Sequence, residues 1–279
     1  MIPFTLESPG SFAGHVRGLI QHSEKPGPRP TVVICHGFKG FMEWGFFPPL
    51  AELLAARGLT VIRFNFSGSG MAPGDELVGD LDAFKRNTFS LERDETLRVL
   101  NAAEALAPGR VDPDRLAVIG HSRGGGAALL ASAAEGRADR LRAVVTWSAV
   151  ATFDRYGLDV RDVWRRDGAI PLRNGRTGQE LELGVELLDD VEQNREALDL
   201  EAAASRRKAP WLIVHGDADE TVPVAEAERL HAHATGETAL ELVEGGSHTF
   251  GAKHPFVGPT RELIHAMNAT QRWLRRHLA

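Results

Sequence analysis

Ser122 lies in Gly120-His121-Ser122-Arg123-Gly124, directly after the apolar run Leu116-Ala117-Val118-Ile119 and ahead of an alanine-rich segment from Ala127 to Ala134. A buried strand, then Gly-x-Ser-x-Gly, then a helix describes a sharp turn that lifts a serine hydroxyl out of a sheet. The flanking glycines are there for steric reasons. A turn this tight leaves no room for neighbouring side chains and strains the backbone. The amide of Arg123, at the start of the helix, points toward any oxyanion formed when Ser122 attacks a carbonyl. A serine hydroxyl stays a poor nucleophile until a histidine takes its proton, and that histidine needs a carboxylate to fix its tautomer.

Both partners follow downstream, each at the end of a strand-like run. Pro210-Trp211-Leu212-Ile213-Val214 leads into His215-Gly216-Asp217-Ala218-Asp219-Glu220-Thr221-Val222-Pro223, and Asp219 is the expected acid, with Asp217 and Glu220 as competitors. Ala239-Leu240-Glu241-Leu242-Val243 leads into Glu244-Gly245-Gly246-Ser247-His248, and His248 is the expected base among the 11 histidines. Its glycine lead lets a loop reach across to the serine, which favours it over His215, His254 and His265. His215 reads as a strand-end packing residue. His231 and His233 stand two apart on an expected helix, hence on different faces, and argue against a shared metal.

Upstream, Thr31-Val32-Val33-Ile34-Cys35 ends in His36-Gly37-Phe38-Lys39-Gly40-Phe41. The loop after such a strand supplies the second oxyanion donor in this kind of site, and the backbone N–H of Phe38 is nominated. The alternative is an ordinary glycine turn over a packed aromatic. His36 reads as a brace for the loop and Cys35 as a buried apolar residue.

With these residues in view, the chain resembles a serine hydrolase of the α/β-hydrolase superfamily over nearly its full length. Its order Ser122, Asp219, His248 is the order of that superfamily. The His36-to-Phe41 string, the Arg63-Phe64-Asn65-Phe66-Ser67-Gly68-Ser69-Gly70 run and the His215-to-Asp219 segment are similar to bacterial cinnamoyl/feruloyl-esterases and dienelactone-hydrolase-like esterases. Dienelactone hydrolases proper carry a cysteine nucleophile where this chain has Ser122. Prolyl-oligopeptidase-type peptidases share the Gly-x-Ser-x-Gly-Gly elbow, here Gly120 to Gly125, although the sequence given has no room for their N-terminal propeller. The resemblance implies a carboxylic-ester hydrolase that forms an acyl-enzyme and needs no cofactor and no metal. An amide or peptide hydrolase and a non-catalytic ligand-binding module of the same fold stay open as alternatives.

The 279 residues, 43% hydrophobic and 25% charged, suit one α/β enzyme domain. A net charge of −6 disfavours nucleic acid as a partner, because phosphate binding requires a basic face. Arg272, Arg275, Arg276 and His277 read as a cationic helix end. The N-terminus lacks the basic and apolar regions of a signal peptide, no run is long enough for a membrane span, and the single cysteine forms no intrachain pair. These features favour the cytoplasm and a small-molecule ester substrate, and leave a homodimer open. No dinucleotide, Walker or zinc motif is present.

Positioning these residues requires alternating strands and helices, hence a mostly parallel central sheet with helices on both faces. Expected strands fall near Phe4–Glu7, His15–Ile20, 31–35, 60–66, 115–120, 141–148, 210–215 and 238–243. Expected helices fall at 47–57, 88–106, 123–135, 223–234 and 260–277. In the last of these, Leu263, Met267, Thr270 and Leu274 form a stripe facing the sheet. Residues 1–150 and 206–279 make the core. Residues 151–205 are an insertion read as a small cap, with a hairpin turn at Asn174-Gly175, a helical stretch from Gly184 to Ala204, and Tyr156 and Trp164 lining an acyl or alcohol pocket; the alternative is a surface insertion with its own small core.

Overall fold

Consecutive residues of one strand lead into two separate cores. In the strand Arg29–Cys35 (β3), Val32 and Ile34 join the apolar layer on one face of the sheet, while Val33 and Cys35 join the layer on the other. Such alternation in an unbroken apolar run requires a sheet covered on both sides. The computed structural model describes residues 1–9, 14–136 and 140–279.

The main sheet has eight strands. They are β1 (Ile2–Glu7), β2 (His15–Gln21), β3, β4 (Thr60–Asn65), β5 (Val111–His121), β6 (Leu141–Trp147), β9 (Trp211–Gly216) and β10 (Thr238–Val243), in the order β1-β2-β4-β3-β5-β6-β9-β10. β2 pairs antiparallel with β1 on one side and with β4 on the other; the remaining pairings are parallel. The helices α1 (Phe47–Ala56) and α9 (Arg261–His277) cover one face. The α9 stripe of Leu263, Met267, Thr270 and Leu274 is buried, and the Thr270 hydroxyl accepts the Trp147 indole N–H at 2.9 Å. On the other face lie α3 (Phe89–Leu106), α4 (Arg123–Ser132) and α8 (Val224–His233). Threonine caps start both long helices: Thr88 accepts from Leu91 N–H and Thr260 from Leu263 N–H.

A short helix, α2 (Leu81–Lys85), follows β4, and between β6 and β9 come α5 (Leu158–Asp167), a two-stranded sheet of β7 (Ala169–Arg173) and β8 (Glu180–Gly184), α6 (Val185–Gln193) and α7 (Leu200–Arg206). Two local expectations change here. The hairpin register pairs Arg173 with Glu180, so the connection is 174–179 rather than a two-residue Asn-Gly turn. Asn174 is buried and organises that loop, its side chain accepting from Arg176 N–H and its carbonyl from Gly178 N–H. The helical stretch from Gly184 to Ala204 divides into two helices, because the Asp199 side chain caps a new start at Ala202 N–H. This second helix, α7, packs on α4 and α8, with Leu200 beside Gly126. The hairpin instead rests on the 78–85 segment, where the Gln179 side chain bonds both backbone groups of Val78.

Candidate active site

The elbow is strained where sequence places it. Ser122 sits at φ 56°, ψ −123°, a conformation that costs about 1–3 kcal/mol for a residue with a side chain. Its N–H donates to Trp147 O at 2.8 Å, tying the turn to β6. A Cβ on Gly120 would stand 2.2 Å from Gly124 O, and one on Gly124 2.2 Å from His36 O. Both glycines are therefore sterically required. Gly37 presses against the Ser122 side chain, where a Cβ would approach Ser122 Cβ to 3.0 Å. That brings the 36–41 loop beside the serine. The amides of Phe38 and Arg123 make no hydrogen bond to another described residue.

Asp219 and His248 meet across the loops after β9 and β10. His248 Nδ1 lies 2.8 Å from Asp219 Oδ2, so this nitrogen carries the proton and Nε2 is left as an acceptor. The other carboxylate oxygen accepts from Thr221 N–H and Val222 N–H, both at 2.9 Å. Burial pushes the Asp219 carboxyl up, but the His248 bond and these amides outweigh it and hold the group below the usual range. His215 donates Nε2–H to Val222 O at 2.8 Å and stands 3.5 Å from Asp219, behind the site. Asp217 is exposed and accepts from Gly245 N–H at 2.7 Å, bracing the His248 loop from outside. The structure thus brings Asp219 to His248, and neither Asp217 nor Glu220 forms that contact. His254 and His265 lie elsewhere, paired with Glu76 and Glu241.

Ser122 and His248 open onto one cavity of about 540 Å³, walled by Phe38, Phe89, Val150, Phe153, Tyr156 and Val222, with Lys39, Arg123, Arg155 and Thr221. Tyr156 takes the expected wall position. Trp164 does not. It is wholly buried, donates its indole N–H to Leu183 O at 2.8 Å and packs edge-on against Tyr156, with centroids 4.9 Å apart. Trp164 therefore packs inside the fold, held by Leu183 of β8 and by Tyr156, and does not border the cavity that Ser122 faces.

Other residues brace the site, and of these the roles of His121 and the Arg123 side chain carried no sequence signal. His121 donates Nε2–H to His248 O at 2.9 Å, and burial pushes its imidazole down to about 3. His36 bonds Gly37 O through Nδ1 and accepts Phe66 N–H at Nε2; burial pushes it down to about 4, so it braces the loop as a neutral ring. The Arg123 side chain, 7% exposed, pairs with Glu92 at 2.8 Å, and its guanidinium carbon lies 4.1 Å from the Phe89 centroid. Glu92 also accepts from Asn87. Burial pushes the Cys35 thiol up to about 12, which leaves it unreactive. Among the described residues no group of three or more His, Cys, Asp or Glu is arranged to hold a metal ion, and no helix is long and apolar enough to cross a membrane.

The profile of the prolyl oligopeptidase family matches residues 44–279, which includes the elbow and both loops. The chain belongs to that family. It has the α/β-hydrolase fold. Among curated relatives, the uncharacterized peptidase YuxL of Bacillus subtilis (strain 168) is 25% identical over 89% of this chain and 35% of its own length. The 2,6-dihydropseudooxynicotine hydrolase of Paenarthrobacter nicotinovorans is 26% identical over 79% of this chain and 50% of its own. The chain therefore spans only about a third to a half of these two relatives. Among solved structures, one from Agrobacterium vitis S4 superposes with TM-score 0.76 at 22% identity over 98% of each chain. Est1E of Butyrivibrio proteoclasticus, with ferulic acid bound, superposes with TM-score 0.70 at 18% identity over 98% of this chain and 99% of its own. These likenesses are of fold.

Proposed function

We propose that this chain is a serine hydrolase that cleaves carboxylic esters of small molecules through an acyl-enzyme. Ser122 attacks the ester carbonyl while His248 Nε2 accepts its proton. Asp219 holds the imidazole and stabilises the imidazolium, and the amides of Phe38 and Arg123 receive the oxyanion. His248 then protonates the departing alcohol, and water repeats the sequence on the acyl-enzyme. The observation that carries this reading is the 2.8 Å His248–Asp219 contact behind a cavity that Ser122 and His248 share.

Residues 151–205 form the cap in this proposal, with Phe153, Arg155 and Tyr156 supplying one wall of the cavity. A space of about 540 Å³ with mostly apolar walls is of the size that small ligands fill. The family profile and the YuxL likeness favour a second reading, an amide or peptide hydrolase using the same groups. One panel separates the two: p-nitrophenyl esters of graded acyl length, methyl hydroxycinnamates and aminoacyl anilides, read beside labelling of Ser122 by a fluorophosphonate. Turnover of anilides above esters gives the site to the second reading. Absence of labelling returns the chain to a ligand-binding role.

A further inference from the structure

The Ser122 cavity has an uneven charge lining. Three cations, Lys39, Arg123 and Arg155, border it, and among the described residues no aspartate or glutamate does. Two of the three are neutralised from behind. Arg123 pairs with Glu92, and Arg155 reaches both carboxylate oxygens of Glu226, at 2.7 and 2.8 Å. Lys39 forms no ion pair with any described residue. The residue is half-buried and its ammonium lies 5.6 Å from the Phe38 ring centroid, while the Arg123 guanidinium carbon stands 5.4 Å from the same ring. Arg123 Nη2 is also buried without an acceptor. Lys39 sits at φ 58°, where glycine is favoured, yet a long cationic side chain occupies the position. An ammonium that has lost part of its hydration beside an apolar wall, with no counter-charge, is a deficit that an incoming anion removes.

We propose that the substrate is an ester bearing a second, anionic group, a carboxylate that Lys39 Nζ receives inside the Ser122 cavity. The proposal rests on the ester-hydrolase reading and adds the substrate class to it. Lys39 then sets specificity, because the groups around the carbonyl meet atoms common to every ester. A carboxylate on the acyl chain and one on the alcohol present the same chemistry to Lys39.

Binding to the Ser122→Ala protein tests this without turnover. By calorimetry, p-nitrophenyl hemiadipate is compared with p-nitrophenyl hexanoate for an anion on the acyl side. 4-Acetoxybenzoate is compared with 4-methylphenyl acetate for one on the alcohol side. In one arm the anionic member should bind at least about tenfold tighter, the size of one charge-assisted hydrogen bond. Adding Lys39→Met should bring that ratio near one, Lys39→Arg should retain it, and salt should shrink it. Equal affinities in both arms, or a preference that Lys39→Met leaves intact, would overturn the subsite. Should Lys39→Met fail to fold, Lys39→Gln takes its place. Wild-type turnover of the neutral esters keeps the two ideas apart. Hydrolysis without anion preference removes the subsite and spares the ester reading; a Lys39-dependent preference without hydrolysis does the reverse.

Discussion

The imidazole of His121 donates Nε2–H to the main-chain carbonyl of His248, 2.9 Å away, and the two rings pack with centroids 4.8 Å apart. The residue beside the nucleophile therefore holds the loop that carries the proposed base. Burial, with the nearby His248, pushes His121 down to about 3, so it stays a neutral donor through ordinary pH. His121→Leu keeps bulk but removes the donor. We expect kcat/KM on a p-nitrophenyl ester to fall about 100-fold, the scale of a small misplacement of reacting groups, with the melting temperature little changed. Unaltered kcat/KM would show that the loop is held by other means.

Asp219 and Asp217 differ sharply in what replacement should do. Asp219→Asn replaces the acceptor of His248 Nδ1–H with an amide that can present its own N–H there, which favours the wrong tautomer, and kcat should fall about 10⁴-fold. Asp217→Asn retains an oxygen for Gly245 N–H at an exposed position and should stay within about threefold. Steady-state kinetics of the two variants decide the matter, and the reverse ranking would move the acid to Asp217.

Stability against pH should reflect buried groups with opposing signs. Burial pushes His36 down from 6.5 to about 4 and His121 to about 3. As pH falls below 6.5 the unfolded chain protonates these histidines and the folded protein does not, so stability held above pH 6.5 is lost toward pH 4. Glu95, buried against Ser8 and Ser67, is pushed up by burial from 4.5 to about 7. Its folded form takes a proton that the unfolded form refuses, so it adds stability as pH falls from 7 to 4.5. His215, buried and lowered in the same way, acts with the two imidazoles, so stability falls on balance as pH drops from 6 to 4.5. Glu95→Gln removes the opposing group and should steepen that fall. Urea midpoints across this range, identical in slope for both proteins, would contradict the assignment.

Much of the site was legible because each proposed group follows a strand end, and buried parallel strands read as unbroken apolar runs. The elbow glycines announced a steric need that Gly120 and Gly124 meet at 2.2 Å. What sequence could not convey was the direction of side chains between distant segments. His121 finds its acceptor in His248, and Arg123 its carboxylate in Glu92 on α3; neither pairing leaves a local pattern. In the insertion, Asn174-Gly175 marked a turn correctly, but the length of the loop is set by the buried Asn174 side chain. An aromatic on an amphipathic helix states that it will be buried without stating against what, and Trp164 is the consequence.

Trp164 and Tyr156 touch each other, yet their replacements should separate cleanly. Trp164 has no exposed surface and anchors α5 to β8 through Leu183 O, so Trp164→Ala opens a cavity away from the reacting atoms. It should destabilise by about 3–5 kcal/mol and lower kcat/KM on every ester in similar proportion, if the protein folds at all. Tyr156 borders the space that Ser122 faces, so Tyr156→Ala should change kcat/KM unequally, by about 1–3 kcal/mol between the best and worst affected acyl groups. Denaturation and the ester panel are measured on both variants. Acyl-selective losses for Trp164→Ala at unchanged stability would return its indole to the pocket wall. Uniform losses for Tyr156→Ala would take the 151–157 segment out of substrate choice and leave selection to other lining residues such as Phe38 and Lys39.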